Sequence, residues 1–211
     1  MEDIKNKVRE RFIRYAKIDT QSQAGSSSTP STKKQFDLAK ELKRELEEMG
    51  AQNVRLSEQC CLFAAIPSNI KEKEKEKAVK SVGFIAHMDT TPDASGTNVR
   101  PWVLENYDGG DVLLNKERNI ILESARFPSM KKYVGHDMIF TDGTTLLGGD
   151  DKAAVAAIMT FAEYLCGHPE VHHGEIQLGF TPDEEVGRGT ENFDIKDFGA
   201  EVAYTMDGDG L

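Results

Sequence analysis

Cysteine is scarce in this sequence, and the cysteines that are present do not form a recognisable set. The chain of 211 residues has three of them, an odd number at positions that do not match the spacing of metal ligands. Two of them, Cys60 and Cys61, are neighbours, and vicinal cysteines rarely bridge each other. We therefore expect free thiols and a cytoplasmic location, because a reducing compartment is the simplest account of unpaired cysteines.

Long apolar runs are also missing. No stretch approaches the roughly 20 apolar residues that a membrane-spanning helix needs. The first segment, MEDIKNKVRERF, is charged and has a helical rhythm, and it lacks the apolar centre of a signal peptide. The sequence therefore predicts that the chain has no membrane partner.

Positive charge is in the minority. The chain has 26 basic and 36 acidic residues, which gives a formal net charge of -10. This charge repels phosphate groups, and the lysines do not gather with aromatic residues into a stripe, so we expect no nucleic-acid partner. The apolar content of 38% is sufficient to build a core, which indicates a globular protein and not a disordered one.

Two segments near the start have the periodicity of amphipathic helices. Apolar residues recur every three or four positions between residues 4 and 15, and again between residues 36 and 49. Gly50 is expected to end the second helix as a left-handed cap. Either Ser31 or Thr32, in the polar segment that separates the two helices, is expected to cap its start.

Apolar runs typical of strands alternate with helical segments along the rest of the chain. The segments CCLFAAIP, VKSVGFIAHMD, EIQLGF and EVAYTM predict strands, and KAAVAAIMTFAEYLC predicts the clearest helix. Between residues 91 and 136 the pattern weakens, which predicts a long excursion with short strands near DVLLN and NIILE. The fold class predicted is α/β, with a mixed, largely parallel sheet flanked by helices.

A histidine and an aspartate follow one predicted strand. His87 and Asp89 are two positions apart in FIAHMDTTPD, so their side chains share a face. A metal-binding imidazole normally donates its other N–H to a carboxylate, so this pair fits a ligand and the residue that orients it. A histidine satisfied near a surface turn is the alternative that the pattern leaves open.

Two aspartates stand where the clearest helix begins. Asp150 and Asp151 follow a glycine-rich turn in TTLLGGDDKAA. Acids at this place favour the positive end of the helix dipole, so N-capping explains either of them as well as a metal site does. A phosphate-binding loop is excluded, because the Gly-Lys-Ser/Thr signature is absent and two carboxylates would face the anion.

Further acids end the last two predicted strands. TPDEEVGRG holds Asp183, Glu184 and Glu185, and YTMDGDG holds Asp207. The second segment lacks the remaining ligands of an EF-hand calcium loop, which argues against that kind of site. In an open α/β sheet the carboxyl ends of the strands line one crevice, so we expect these acids to meet there.

Carboxylates that meet in one crevice repel one another unless a cation neutralises them. An imidazole with carboxylates suits Zn²⁺ first, with Co²⁺ or Mn²⁺ as substitutes. The number of acids leaves room for two ions. One glutamate is expected to stay uncoordinated, because attack on a carbonyl also requires a base.

The motifs HMDT, TDGTTLLGGDDKA, HPEVHHGEIQLGFTPDEEVGRG and YTMDG resemble those of the co-catalytic zinc exopeptidases, the family related to aminoacylase and glutamate carboxypeptidase. Residues 91–112 resemble the tripeptide aminopeptidases of that family more than its deacylases. The resemblance extends from the first helix to residue 208.

The resemblance implies a role for each residue of the crevice. It implies two zinc ions, held by His87, Asp150, Glu185 and Asp207, with Asp150 bridging them. Asp89 would orient His87, and Glu184 would be the general base. Family members usually carry a non-proline cis peptide after the bridging aspartate, here between Asp150 and Asp151.

The resemblance also implies a reaction and a domain organisation. The reaction is the release of the N-terminal residue from a tripeptide, by attack of a water that bridges the metals. Family members are considerably longer and include a lid domain that contributes to homodimers, followed by a segment that completes the second metal site. Residues 1–211 would then be the N-terminal portion of the catalytic domain, with a sheet incomplete at its C-terminal end. A catalytically incomplete metal-binding fragment and a related dipeptidase or deacylase are the alternatives.

Overall fold

The fold is an α/β arrangement in which helices cover a five-stranded sheet, in a computed structural model that describes residues 2–70 and 79–208. The elements in chain order are α1 (Glu2–Ala16), α2 (Gln35–Met49), β1 (Gln52–Leu56), β2 (Leu62–Ile66), β3 (Val82–His87), β4 (Trp102–Leu104), β5 (Val112–Asn115), β6 (Ile120–Leu122), β7 (Met138–Phe140), α3 (Gly149–Gly167), β8 (Ile176–Thr181), α4 (Ile195–Phe198) and β9 (Val202–Thr205). Short 3-10 turns lie at Pro128–Tyr133 and Glu184–Val186.

The central sheet has the strand order β1-β2-β8-β3-β9. Strand β2 is antiparallel to both of its neighbours, whereas β3 is parallel to β8 and to β9. All strands of this sheet except β2 therefore run in the same direction, and the prediction of a mixed, largely parallel sheet is confirmed. The carboxyl ends of β3, β8 and β9 lie at one edge, because His87 is paired with Thr181 and Ile85 with Thr205.

The two faces of the sheet pack against different elements. Leu62, Ala64 and Ile66 of β2 belong to the main core, which they share with residues of α1, α2 and α3. Cys61 and Phe63 point to the opposite face, where they join a smaller cluster with α4. The alternation follows from the two-residue period of a strand, so β2 is apolar on both sides.

Among the described residues, no helix combines the length and the apolar character needed to traverse a bilayer.

The excursion between β3 and α3 forms two small antiparallel sheets, β4 with β7 and β5 with β6. The short strands predicted near DVLLN and NIILE are confirmed as β5 and β6. This part has its own apolar cluster around Tyr107, Val112 and Met130. Ile139 of β7 also packs against the main core, so this part is joined to the rest of the fold through β7.

The ends of α2 agree only in part with the sequence. Gly50 adopts φ 86° and ends the helix, as predicted. The prediction that Ser31 or Thr32 caps its start was wrong, because α2 begins at Gln35 and Lys34 is its N-cap residue. The hydroxyl of Thr32 donates to the carbonyl of Gln21 (2.7 Å), and Ser31 binds a distant aspartate, so both serve the preceding loop and not the helix.

Two glycines let a phenylalanine ring lie directly on the sheet. A Cβ atom at Gly83 would lie 2.5 Å from Cε1 of Phe198, and one at Gly179 would lie 3.1 Å from its Cε2. Phe198, the last residue of α4, is 3% exposed. The absence of side chains at these two strand positions therefore lets α4 close the second face of the sheet.

Gly83→Ala is expected to lower the free energy of unfolding by about 1–3 kcal/mol, because the added methyl group overlaps the Phe198 ring. Gly167→Ala is the matched control, since a Cβ at that helical position meets nothing within 4 Å. Both changes restrict the unfolded chain to a similar extent, so the control should be neutral or stabilising by up to about 1 kcal/mol. Urea unfolding followed by far-UV circular dichroism measures both. Equal stability of the two variants would contradict the close packing at Gly83.

Candidate metal centre

His87 closes β3, and its buried ring lies between two aspartates. Its Nδ1 atom is 3.1 Å from the main-chain oxygen of Asp89 and 3.3 Å from Oδ1 of the same residue. Its Nε2 atom is 2.9 Å from Oδ1 of Asp150. Because Asp89 holds Nδ1, Nε2 is the nitrogen that faces the crevice and is available to bind a metal ion.

The start of α3 supplies two carboxylates in different environments. The peptide bond between Asp150 and Asp151 is cis, as the family resemblance implied. The side chain of Asp150 is 61% exposed, whereas Asp151 is buried and its Oδ2 accepts the main-chain amide of His87 (3.1 Å). Asp151 thereby joins the beginning of α3 to the end of β3.

The turn after β8, residues 182–187, carries the three consecutive acids. The amides of Glu184 and Glu185 donate to Oδ1 and Oδ2 of Asp89, at 2.9 and 3.2 Å. The Glu184 side chain is half exposed, and its Oε2 lies 3.9 Å from Nε2 of His87. Asp183 is fully buried, and its carboxylate binds Ser31 and Gln35 away from this imidazole.

Two sets of side chains offer ligand atoms that lie within 4.8 Å of one another. One set is His87, Asp150 and Glu185, and the other is His87, Asp151 and Asp207. The structure thus brings together His87 and all three acids predicted as ligands, divided between the two sets. Asp207 arrives through β9, whose extension is held by a bond from the Met206 amide to the Ile85 carbonyl (2.8 Å).

The charges of the site are unbalanced towards the negative. Burial opposes protonation of His87, but the hydrogen bond and the charge of Asp89, with the charge of Asp151, raise its pKa to about 10. Burial, and the charges of Asp207 and Asp150, raise the pKa of Asp151 to about 7. Burial, with Asp150 and other carboxylates nearby, also raises the pKa of Glu185. All three shifts favour a positive partner near the carboxylates.

The residues present therefore fit a divalent cation. Each set combines one imidazole with two carboxylates, and imidazole nitrogen and carboxylate oxygen are both donors that bind Zn²⁺. The imidazole is oriented by a buried carboxylate, as metal-binding histidines usually are. Burial, and after it the charges of neighbouring carboxylates, raises the pKa of Asp151 and of Glu185, and a cation would offset both effects.

A cleft of about 230 Å³ adjoins the two sets. His87, Asp151, Glu184 and Asp207 line one part of it, and apolar residues of β3 together with Phe193 line another. A polar, acidic wall next to an apolar one is the usual form of a small-molecule site. The cleft thus places room for a substrate group directly beside Glu184.

Sequence reasoning missed one candidate ligand of this centre and the contacts of one aspartate beside it. The sequence leaves Asp151 open between a helix cap and a metal site and does not place it among the predicted ligands, yet it belongs to one of the two ligand sets. Its position beside Asp150 was a signal, but spacing does not reveal which of two adjacent acids turns inward. Asp183 was grouped with the two glutamates that follow it, and nothing local in the sequence indicates that its side chain binds residues about 150 positions away.

The chain resembles known proteins along nearly its whole length, although no protein-family model matches it. Peptidase T of Clostridium botulinum (strain Loch Maree / Type A3) is 52% identical over 204 residues, which is 97% of this chain and 49% of that protein. The chain therefore spans about half the length of the curated relatives it matches.

Solved structures share the fold at lower sequence identity. Aminopeptidase PepT of Bacillus cereus has a TM-score of 0.66 at 21% identity, covering 97% of this chain and 44% of that one. An M20 family metallo-carboxypeptidase of Sulfolobus solfataricus has a TM-score of 0.54 at 17% identity, covering 97% and 38%. The resemblance inferred from the motifs is confirmed: the chain is related to peptidase T in sequence, and it shares the fold of these two solved structures.

Proposed function

We propose that this chain carries the catalytic residues of a metal-dependent aminopeptidase that releases the N-terminal residue from tripeptides. The observation that carries the proposal is the meeting of one oriented imidazole with carboxylates from three other segments, beside a cleft. The relationship to peptidase T supports the same reaction class. A short peptide is thus the proposed partner.

Two sets of residues would hold the metal: His87 with Asp150 and Glu185, and His87 with Asp151 and Asp207. The sets share His87, whose one free nitrogen, Nε2, can bind only one ion. In our proposal the centre would hold two Zn²⁺ ions, with Co²⁺ or Mn²⁺ as substitutes. His87 and Asp207 would bind one ion, Glu185 would bind the other, and Asp150 would serve both, as the resemblance implies. When bound, the metal would supply Lewis-acid chemistry that activates a water molecule and polarises the scissile carbonyl.

Glu184 is the proposed general base. Its carboxylate is half exposed, lines the cleft and lies next to the ligand imidazole, so a water molecule and a peptide can both reach it. It takes a proton from the attacking water and passes it to the leaving amine. The C–N bond breaks as the oxygen of the water bonds to the carbonyl carbon, so hydrolysis is complete. A glutamate bound to the metal through both oxygens could not do this.

Asp89 is the proposed orienting residue. Its carboxylate faces Nδ1 of His87 and also accepts the amides of Glu184 and Glu185. One buried carboxylate thus fixes the direction of the imidazole and the distance of the acidic turn from it. Asp89 thereby fixes the position of Glu184 relative to His87 without itself contacting the substrate.

The principal alternative is a catalytically incomplete metal-binding portion of a larger domain. The chain matches about half the length of its curated relatives, and the resemblance places further ligands in the other half. In the proposal residues 1–211 correspond to the N-terminal portion of the catalytic domain.

We also propose a cytoplasmic location, which Cys60, Cys61 and Cys166 support as free thiols. A homodimer stays a prediction from the resemblance, as does a related dipeptidase or deacylase activity.

Glu184→Gln is expected to lower kcat for a tripeptide by about 10²–10⁴-fold, because the variant cannot accept the proton of the attacking water. The amide retains the size of the side chain, so Zn²⁺ affinity should change little. Hydrolysis of a tripeptide panel by the purified chain, with Zn²⁺ and with a chelator, measures the effect. Zn²⁺ uptake without turnover in the wild type would favour the incomplete-portion alternative.

Glu170→Gln is the matched control for that measurement. Glu170 is an exposed glutamate in the connection between α3 and β8, away from both ligand sets. Its substitution should leave turnover unchanged. Wild-type turnover in the Glu184→Gln variant would exclude the proposed role of the general base.

His87→Gln is expected to weaken Zn²⁺ or Co²⁺ binding by at least about tenfold, because both ligand sets depend on this imidazole. Asp207→Asn should affect one set and leave the other able to bind. His136→Gln, at an exposed histidine outside both sets, is the control. Calorimetric titration gives affinity and stoichiometry, and equal binding by the His87 and His136 variants would contradict the assignment.

A further inference from the structure

The loop between α1 and α2, residues 17–32, binds each of three segments that carry residues of the metal centre. We call it the serine-rich loop. After β3, the carbonyl of Thr90 accepts both the amide (3.0 Å) and the hydroxyl (3.1 Å) of Ser22. At the start of α3, the buried ammonium of Lys152 donates to the carbonyl of Ile18 (2.6 Å). The third segment is the acidic turn, residues 182–187.

Asp183 forms the connection between the acidic turn and this loop. Its Oδ2 accepts the amide of Ser31 (2.7 Å), and its Oδ1 accepts the hydroxyl of Ser31 (2.5 Å) and Nε2 of Gln35 (2.7 Å). Its own amide donates to Oε1 of Gln35 (3.2 Å). Asp183, Ser31 and Gln35 are all buried, so these bonds are shielded from water.

The backbone of Asp183 explains how three consecutive acids reach different surroundings. Asp183 has φ 59°, in the left-handed region, which reverses the chain directly before Glu184. Its carboxylate binds the serine-rich loop, whereas the next two residues have their amides on Asp89. The turn is therefore held from two sides, by Asp89 and by Asp183.

Arg188 repeats the connection at the far end of the turn. Its guanidinium donates to the carbonyls of Ser26 (3.1 Å) and Ser28 (3.0 Å) and to the hydroxyl of Thr29. Its amide donates to the carbonyl of Asp183 (2.9 Å), which closes the turn on itself. Both ends of the segment that carries the two glutamates are thus bound to one loop.

We propose that Asp183 is a positioning residue, which, through Ser31 and Gln35, fixes Glu184 and Glu185 relative to His87. The inference rests on the proposed function for the roles of the two glutamates. A short turn offers only a few backbone bonds of its own, so loss of the Asp183 bonds leaves Asp89 and Arg188 as the remaining side-chain anchors of the turn. Loss of an outer partner of this kind typically lowers metal affinity by about 10–100-fold.

Asp183→Asn tests the proposal with little change of shape. The amide replaces one acceptor oxygen by an NH₂ group, which then faces a donor of Ser31 or Gln35. Ser31→Ala is the milder variant, since it removes the hydroxyl bond and keeps the amide bond. It carries the test if circular dichroism shows that Asp183→Asn does not fold.

Asp111→Asn is the matched control. Asp111 is exposed, and its Oδ1 accepts the amide (2.8 Å) and the hydroxyl (3.0 Å) of Ser124 beside the β5–β6 hairpin. The control therefore removes the same kinds of bonds from a carboxylate that has no connection to the acidic turn.

The first measurement is amide hydrogen exchange in the metal-free chain. Asp183→Asn should speed exchange at the amides of Glu184 and Glu185 by at least about tenfold, because both rest on a turn that has lost one anchor. Ser31→Ala should have a smaller effect in the same direction, and Asp111→Asn none. Unchanged exchange at these two amides in both variants would overturn the proposal, whatever the metal does.

The second measurement is calorimetric titration with Zn²⁺. The expected result is a fall of about 10–100-fold in affinity for Asp183→Asn and wild-type affinity for Asp111→Asn. Faster amide exchange with unchanged Zn²⁺ affinity would show a purely structural role and overturn the proposal. A wild-type chain that binds no Zn²⁺ would refute the proposed function itself, and hydrogen exchange would then still decide whether Asp183 holds the turn.

Discussion

Repulsion between carboxylates that the fold holds beside one imidazole is the constraint on which the centre depends. Burial is the largest cause of the raised pKa of Asp151 and of Glu185, and the charges of neighbouring carboxylates raise both further. Asp89 and Asp151 raise the pKa of His87 against the effect of its burial. A protein gains nothing in stability from such a cluster alone. The cluster becomes favourable when a divalent cation takes the place of the protons, so the electrostatics of the centre favour metal binding.

The parallel part of the sheet creates this crowding, and buried hydrogen bonds make it tolerable. Parallel strands end at the same edge, so β3 and β8 deliver His87 and the acidic turn to neighbouring places. Asp89 and Asp151 are buried; Asp89 accepts the amides of Glu184 and Glu185, and Asp151 accepts the amide of His87. These bonds satisfy two buried carboxylates that would otherwise carry a large desolvation cost.

Much of this arrangement could be predicted from the sequence, because the relevant signals are local. The apolar runs identified strands β2, β3, β8 and β9 but not β1, β4 or β7. Gly50 marked the end of α2, and the two-residue spacing put His87 and Asp89 on one face. The inward turn of Asp151 and the burial of Asp183 could not be predicted. Asp183 binds Ser31 and Gln35 across about 150 residues, and a pattern confined to a few neighbouring positions does not encode such a contact.

The wrong prediction of a helix cap at Ser31 and the unpredicted burial of Asp183 have the same cause, which is the contact between these two residues. Ser31 has the composition and position of an N-cap, and local preference alone assigns it to α2. In the folded chain its amide and hydroxyl are taken by Asp183, and the helix begins without a side-chain cap. His87 lies at the end of a strand that is paired on both sides, whereas Glu184 and Glu185 lie on a short turn. The turn therefore requires anchors from other parts of the chain. Ser31 is one of them, because it binds Asp183 and does not cap α2.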